Sequence, residues 1–278
     1  MEEPRMLLFD LDGTLLDSTH RLPSSICDSL FEIRRRGIMI TLATGRIFAA
    51  AAPFVRQLRI RIPLILYNGA VIAEPTGRII FERRLDRQAA HDALLLAEQF
   101  DVHPQLYLDP SEGFFCVDKA TDPIKKFSNK DGIPAKKVGN LASYLKETRI
   151  NPVKLLIIGP REELIRLRKR YQRDHPEPIC VLSEQNYLEI LAPSVSKGDG
   201  MQLLCKFLDM SPQEVVAFGD NLNDREMLQL AGTGIAMASA PEEMRKEADL
   251  VVDDIGLFLE GFSESIAHRQ VKMGRDSG

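Results

Sequence analysis

The spacing of apolar positions changes character along the chain, and each change predicts a different kind of structure. Residues 5–9 (RMLLF) are apolar in succession up to Asp10, as in a short strand buried on both faces. Residues 24–36 (SSICDSLFEIRRR) carry a helical stripe closed by Gly37, and 38–43 (IMITLA) return to the strand pattern. Thr44-Gly45 then turns into a helix near 47–58, and 63–67 (PLILY) repeats the apolar run before Asn68-Gly69. The order is β-α-β-α-β. Strands apolar throughout and separated by helices predict a parallel sheet covered on both faces with right-handed crossovers, an α/β doubly wound core.

After Pro75-Thr76-Gly77, a hairpin turn by composition, the pattern shifts. Residues 86–100 (DRQAAHDALLLAEQF) predict a helix capped by Asp86. Residues 102–108 and 114–117, split by Pro110-Ser111-Glu112-Gly113, predict an antiparallel pair, while 153–158 form a strand and 161–174 a charged helix. From 197 the first pattern returns: helix 197–208, a capping box at Ser211–Glu214, strand 215–218, a polar loop and helix 223–231. These alternations predict a core formed by 1–82 and 191–278, with a smaller α+β cap domain inserted at 83–190. Fraying is expected only in the first few residues and in the tail 274–278.

Composition narrows the class. The 278 residues are 44% hydrophobic and 27% charged, ordinary for a globular protein with a packed core. Lys and Arg number 36 against 40 Asp and Glu, a net charge of −4 without the basic excess of a nucleic-acid binder. Cys27, Cys116, Cys180 and Cys205 form no paired metal or redox motif. No apolar run approaches membrane-spanning length, and the expected location is cytoplasmic, with no membrane or nucleic-acid partner.

The chemistry-bearing residues sit where predicted strands end, the edge at which open α/β sheets bind ligands. Asp10 and Asp12 in DLDGT follow the first strand, and Asp220, Asn223 and Asp224 in GDNLND follow 215–218. Like charges converging on one edge are costly without a cation, and hard oxygen donors of this kind suit Mg²⁺. Thr44-Gly45-Arg46 and Ser196-Lys197-Gly198 each open a helix, where a hydroxyl, backbone N–H groups and an ammonium can hold phosphate oxygens. His20, His91, His103, His175 and His268 have no ligand spacing.

In this order, DLDGTLL, LATGR, SKG and GDNLND resemble the four motifs of the haloacid dehalogenase superfamily of phosphohydrolases. YNGA at 67–70, NYLEILAPSVSKG at 186–198 and GDNLNDREMLQLAG at 219–232 resemble its Cof-type branch, subfamily IIB; Met237-Ala238-Ser239-Ala240 departs from that branch's usual AMGNA. The resemblance implies that Asp10 is the nucleophile and Asp12 the general acid and base. It implies that Asp10, the Asp12 carbonyl and Asp220 hold Mg²⁺ with support from Asp224, and that Thr44, Gly45, Lys197 and Asn223 hold the phosphoryl group. The expected activity is Mg²⁺-dependent hydrolysis of small phosphate esters, such as sugar phosphates, through an aspartyl-phosphate, by a monomer or homodimer. A phosphomutase shares these motifs and differs in returning the phosphoryl group to substrate. A phosphometabolite sensor would have no use for Asp12.

Overall fold

The computed structural model describes residues 4–110, 113–117, 133 and 135–276. The central sheet runs β14(Leu250–Val252), β13(Thr233–Met237), β12(Val215–Gly219), β1(Met6–Phe9), β2(Met39–Leu42), and every pairing in it is parallel. The strand register brings Phe9 beside Leu42 and Phe218, so the chain leaves β1, β2 and β12 at a common edge.

β1 is fully buried because its period-2 side chains feed two apolar clusters. Leu7 and Phe9 join one with Ile40, Leu42 and Phe218, while Met6 and Leu8 join another with Ala217, Met201 and Leu204. Helix α1(Ser24–Arg35) lies on the first side, packed on the C-terminal helix, here α9(Ile255–Asp276). On the second side α6(Lys197–Phe207) packs against α7(Arg225–Leu230). Both faces are covered, as the unbroken apolar strands require.

The third predicted strand departs from the parallel arrangement. β3(Leu64–Leu66) keeps one parallel bridge, Ile65 to Ala43, but its ladder is antiparallel to β4(Val71–Ala73), which pairs with β5(Ile79–Glu82). The cause is local: Tyr67, Asn68 and Gly69 have φ of 51°, 55° and 103° and reverse the chain at once, leaving no room for a crossover helix. The β4–β5 turn is the hairpin expected at Pro75–Gly77.

A separate mixed sheet forms the cap: β10(Ile179–Glu184), β11(Tyr187–Leu191), β9(Lys154–Ile158), β6(His103–Tyr107), β7(Phe114–Val117), β8(Ala135–Val138). Its pairings are antiparallel except β7 with β8. Helices α3(Arg87–Ala97), α4(Leu141–Thr148) and α5(Arg161–Asp174) share a hydrophobic cluster with one face of this sheet. Asp86 caps α3 by accepting from Ala89 N at 2.9 Å, as predicted. Where 223–231 was expected to be one helix, a single tight turn at Leu222–Asp224 precedes α7. Ser111 and Glu112 of the expected 110–113 turn, residues 1–3, and 277–278 of the expected frayed tail lie outside the described residues; helix continues to Asp276. Among the described residues no helix is long and apolar enough to cross a membrane.

Candidate active site

Asp10 is the first residue beyond β1, and its amide still donates to Phe218 O at 3.0 Å, so the sheet holds its backbone. The following turn bends at Gly13, whose φ is 83°. A Cβ on Gly13 would lie 2.2 Å from Asp220 Oδ2, so glycine there lets Asp220 pack across the turn. Thr14 Oγ1 donates to Asp220 Oδ1 at 3.1 Å.

Lys197 opens α6 and is only 1% exposed; its Nζ donates to Asp10 Oδ1 at 2.7 Å and Asp224 Oδ1 at 2.5 Å. The second oxygen of Asp224 accepts from the amides of Asp220 (3.1 Å) and Asn221 (3.0 Å). Asp10, Asp220 and Asp224 each bring an oxygen within 4.8 Å of the others. Burial, reinforced by Asp224 and Asp220 and opposed by Lys197, holds the Asp10 carboxyl well above its usual range. Burial followed by the Asp224 charge pushes Asp220 up to about 6. For Lys197 burial acts downward, but Asp10 and Asp224 outweigh it and keep the ammonium above its ordinary value. Three carboxylates facing one ammonium leave an excess of negative charge in a dry place, and this donor set of hard oxygens fits a divalent cation.

Thr44 is buried beyond β2; its amide donates to Ile65 O at 2.9 Å, and its hydroxyl accepts from Arg46 N at 3.1 Å, which leaves the hydroxyl proton available to a ligand. Asn68 N donates to Thr44 O at 3.0 Å, fastening the Asn68-Gly69 turn to this loop. A Cβ on Gly69 would lie 1.9 Å from Ser196 O, so the same turn backs the residue before Lys197. The YNGA segment thus links the Thr44 and Lys197 loops, where the sequence allowed a plain turn before the cap.

Asp12 is not one of the three clustered carboxylates and pairs elsewhere. Arg46 Nε and Nη2 donate to its two oxygens at 2.7 and 2.6 Å, and His20 Nδ1 stands 3.5 Å away. The Asp12 side chain is 40% exposed and the Arg46 side chain 13%, with the guanidinium 5.3 Å from the centre of the Phe54 ring. Arg46 was read in the sequence only as part of a turn, although its place after Thr-Gly was the available signal.

All eight expected residues gather at this edge, and the cap covers it. A cavity of about 130 Å³ is lined from the core by Asp10, Asp12, Thr44, Gly45, Lys197 and Asn223, and from the cap by residues that include Lys154, Glu189 and Tyr107. Asn223 Nδ2 donates to Asn68 Oδ1 at 3.1 Å, and Asn68 Nδ2 to Glu189 Oε2 at 3.0 Å. The Asn223 Oδ1 atom is buried without a hydrogen-bond partner among the described residues. Neither Lys154 nor Glu189 stood out in the sequence, where each occupies an ordinary strand position.

A doubly wound core with acidic strand ends beneath an inserted cap defines a hydrolase class, and comparison with known proteins supplies the family. Residues 7–255 match the haloacid dehalogenase-like hydrolases, and the chain belongs to that family, in its Cof-type branch. It is similar to phosphatase YwpJ of Bacillus subtilis, 29% identical over 270 residues that cover 89% of this chain and 94% of that protein. It is also similar to an HMP-PP phosphatase of Serratia proteamaculans, 28% identical over 87% of this chain and 86% of the relative. A crystal structure from Thermotoga maritima superposes with a TM-score of 0.79 at 27% identity, covering 92% of this chain and 97% of that one. The chain is a phosphatase of this family.

Proposed function

We propose that this protein is a Mg²⁺-dependent phosphatase for small phosphorylated metabolites, sugar phosphates or similar monoesters, acting through an aspartyl-phosphate on Asp10. The observation that carries the reading is the buried meeting of Asp10, Lys197 and Asp224 at the end of the central strand, with Asp220 within reach of the same point. Asp10, Asp220 and the Asp12 carbonyl hold the metal, with Asp224 supporting them; bound Mg²⁺ supplies neutralisation of phosphoryl charge.

The chain's own residues do the rest. Thr44 and the Gly45 amide grip phosphoryl oxygens from one side, and Lys197 and Asn223 from the other. A carboxylate oxygen of Asp10 bonds to phosphorus while the bond to the leaving alcohol breaks, and Asp12 gives that alcohol its proton. Water then attacks the aspartyl-phosphate and yields its proton to Asp12, restoring Asp10 and releasing phosphate. Asp12 faces Arg46 before substrate arrives, and that pair fixes the orientation from which it acts.

We further propose that core segments 1–82 and 191–278 flank a cap of 83–190. In support, Arg83 N donates to Ala70 O beside the core, while Leu85 N donates to Pro152 O beside the cap sheet. The test of the activity is a panel of phosphate esters assayed with Mg²⁺ and with excess chelator. Release of phosphate that is lost with chelator and restored by Mg²⁺ is the expected result; no release from any ester with Mg²⁺ present contradicts the proposal.

A further inference from the structure

The cavity contains a second buried ion pair, and none of the proposed catalytic steps uses it. Lys154, at the start of β9, and Glu189, within β11, are 4% and 6% exposed. Lys154 Nζ donates to Glu189 Oε2 at 3.2 Å and to the core carbonyl of Gly45 at 3.2 Å. Glu189 Oε2 also accepts from Asn68 of the core, and Oε1 accepts from Ser183 Oγ at 3.0 Å. The ammonium stands 5.3 and 5.2 Å from the ring centres of Tyr67 and Tyr107. Both charged groups line the cavity that also exposes Asp10, Thr44 and Lys197.

The charge balance of this pair differs from that of the carboxylate cluster. One lysine meets one glutamate, so the cap side of the cavity presents a strong donor and a strong acceptor with no net charge. An ammonium has three hydrogens and a carboxylate about four acceptor positions, so both groups can take a further partner without breaking the pair. Such a surface suits neighbouring hydroxyls, each able to accept from Lys154 and donate to Glu189. A pair without net charge offers an anionic leaving group no net attraction to offset the cost of stripping water from its charge.

We propose that Lys154 and Glu189 are the specificity-determining pair of the cap and select phosphate esters whose leaving group is uncharged and hydroxylated, against esters carrying a second anion. The proposal rests on the phosphatase reading above. Both side chains come from the cap and each bonds a core group beside the proposed phosphoryl site: Lys154 the Gly45 carbonyl, and Glu189 the Asn68 amide, whose oxygen accepts from Asn223.

The test compares kcat/KM for glucose 6-phosphate and 6-phosphogluconate, which differ by a carboxylate in the leaving group, with p-nitrophenyl phosphate as a leaving group of neither kind. The wild-type protein should prefer glucose 6-phosphate. Glu189→Gln leaves the lysine charge uncompensated and should raise the ratio of 6-phosphogluconate to glucose 6-phosphate by about tenfold; Lys154→Met should lower it by about as much. A structural role alone would move both ratios alike. Shifts in one direction in both variants, or under about twofold in each, with aryl phosphate still hydrolysed, would overturn the assignment while sparing the phosphatase reading. A wild-type protein inert towards aryl phosphate in Mg²⁺ would bring down both.

If a single variant does not melt cooperatively, the double variant Lys154→Met, Glu189→Leu leaves no charge unpaired. Its preference for glucose 6-phosphate over aryl phosphate should fall about tenfold, and an unchanged preference would refute the proposal.

Discussion

Two buried lysines line one cavity in contrasting electrostatic settings. In the core, Lys197 contacts Asp10 and Asp224 with Asp220 close by, so carboxylates outnumber the ammonium. In the cap, Lys154 contacts one glutamate, whose oxygens are also satisfied by Asn68 and Ser183. A buried cluster with unbalanced charge is costly unless something is bound or transferred there, whereas a balanced and hydrogen-bonded pair can stand by itself. On the proposed reading the difference separates chemistry from choice: the core cluster would take a cation and a phosphoryl group, the cap pair the remainder of the substrate.

The sharpest way to break this division is at the nucleophile. Asp10→Asn keeps the shape but removes the charged oxygen and should bring turnover to background, with a cooperative melt retained. Ordinary phosphate release by the folded variant would end the covalent reading. Next in size, Asp12→Ala should cost roughly 10²–10⁴-fold with alkyl esters. An aryl phosphate, whose leaving group needs little protonation, should lose less in single-turnover phosphorylation; equal losses would show that Asp12 is not the general acid.

A structural variant sharpens the comparison differently. Gly69 combines φ of 103° with a Cβ position 1.9 Å from Ser196 O, so Gly69→Ala should destabilise the protein by roughly 2–4 kcal/mol, read as a lower urea midpoint at unchanged slope. A midpoint equal to wild type would mean that the turn is free to move away from the Lys197 loop.

Gly69 also illustrates what was legible in the sequence. The core site could be read because each of its pieces is a short contiguous motif at the end of an apolar strand: DLDGT, TGR, SKG, GDNLND. Lys154 and Glu189 could not, because they meet through the pairing of β9 with β11, 35 residues apart, and a charged residue in a half-buried strand looks like one facing solvent. For the same reason β8, β10, β11 and α4 were not singled out. β8 reads AKKV, with charges where alternation should show, and β11 lies inside a stretch noticed for its motif rather than its period. The turn after β3 was seen as Asn-Gly, two residue types that suit positive φ, but the third positive φ, at Tyr67, has no signature in residue type.

Arg46 joins the two regions and should show the smallest effect. Its guanidinium spans both oxygens of Asp12, and the carbonyl of the preceding Gly45 accepts from Lys154 of the cap. Bidentate geometry restricts the rotation of a side chain that is otherwise 40% exposed, so Arg46 acts as a positioning residue that limits how far Asp12 must travel to the leaving group. Arg46→Gln should lower kcat for an alkyl ester by about tenfold and for an aryl phosphate by less than about twofold, because only the alkyl ester needs Asp12 as an acid. Arg46→Lys keeps the charge without the planar fork and should fall between wild type and Gln. A uniform loss with both esters would place Arg46 on the phosphoryl group instead of on Asp12, because an interaction with the transferring group does not depend on what leaves.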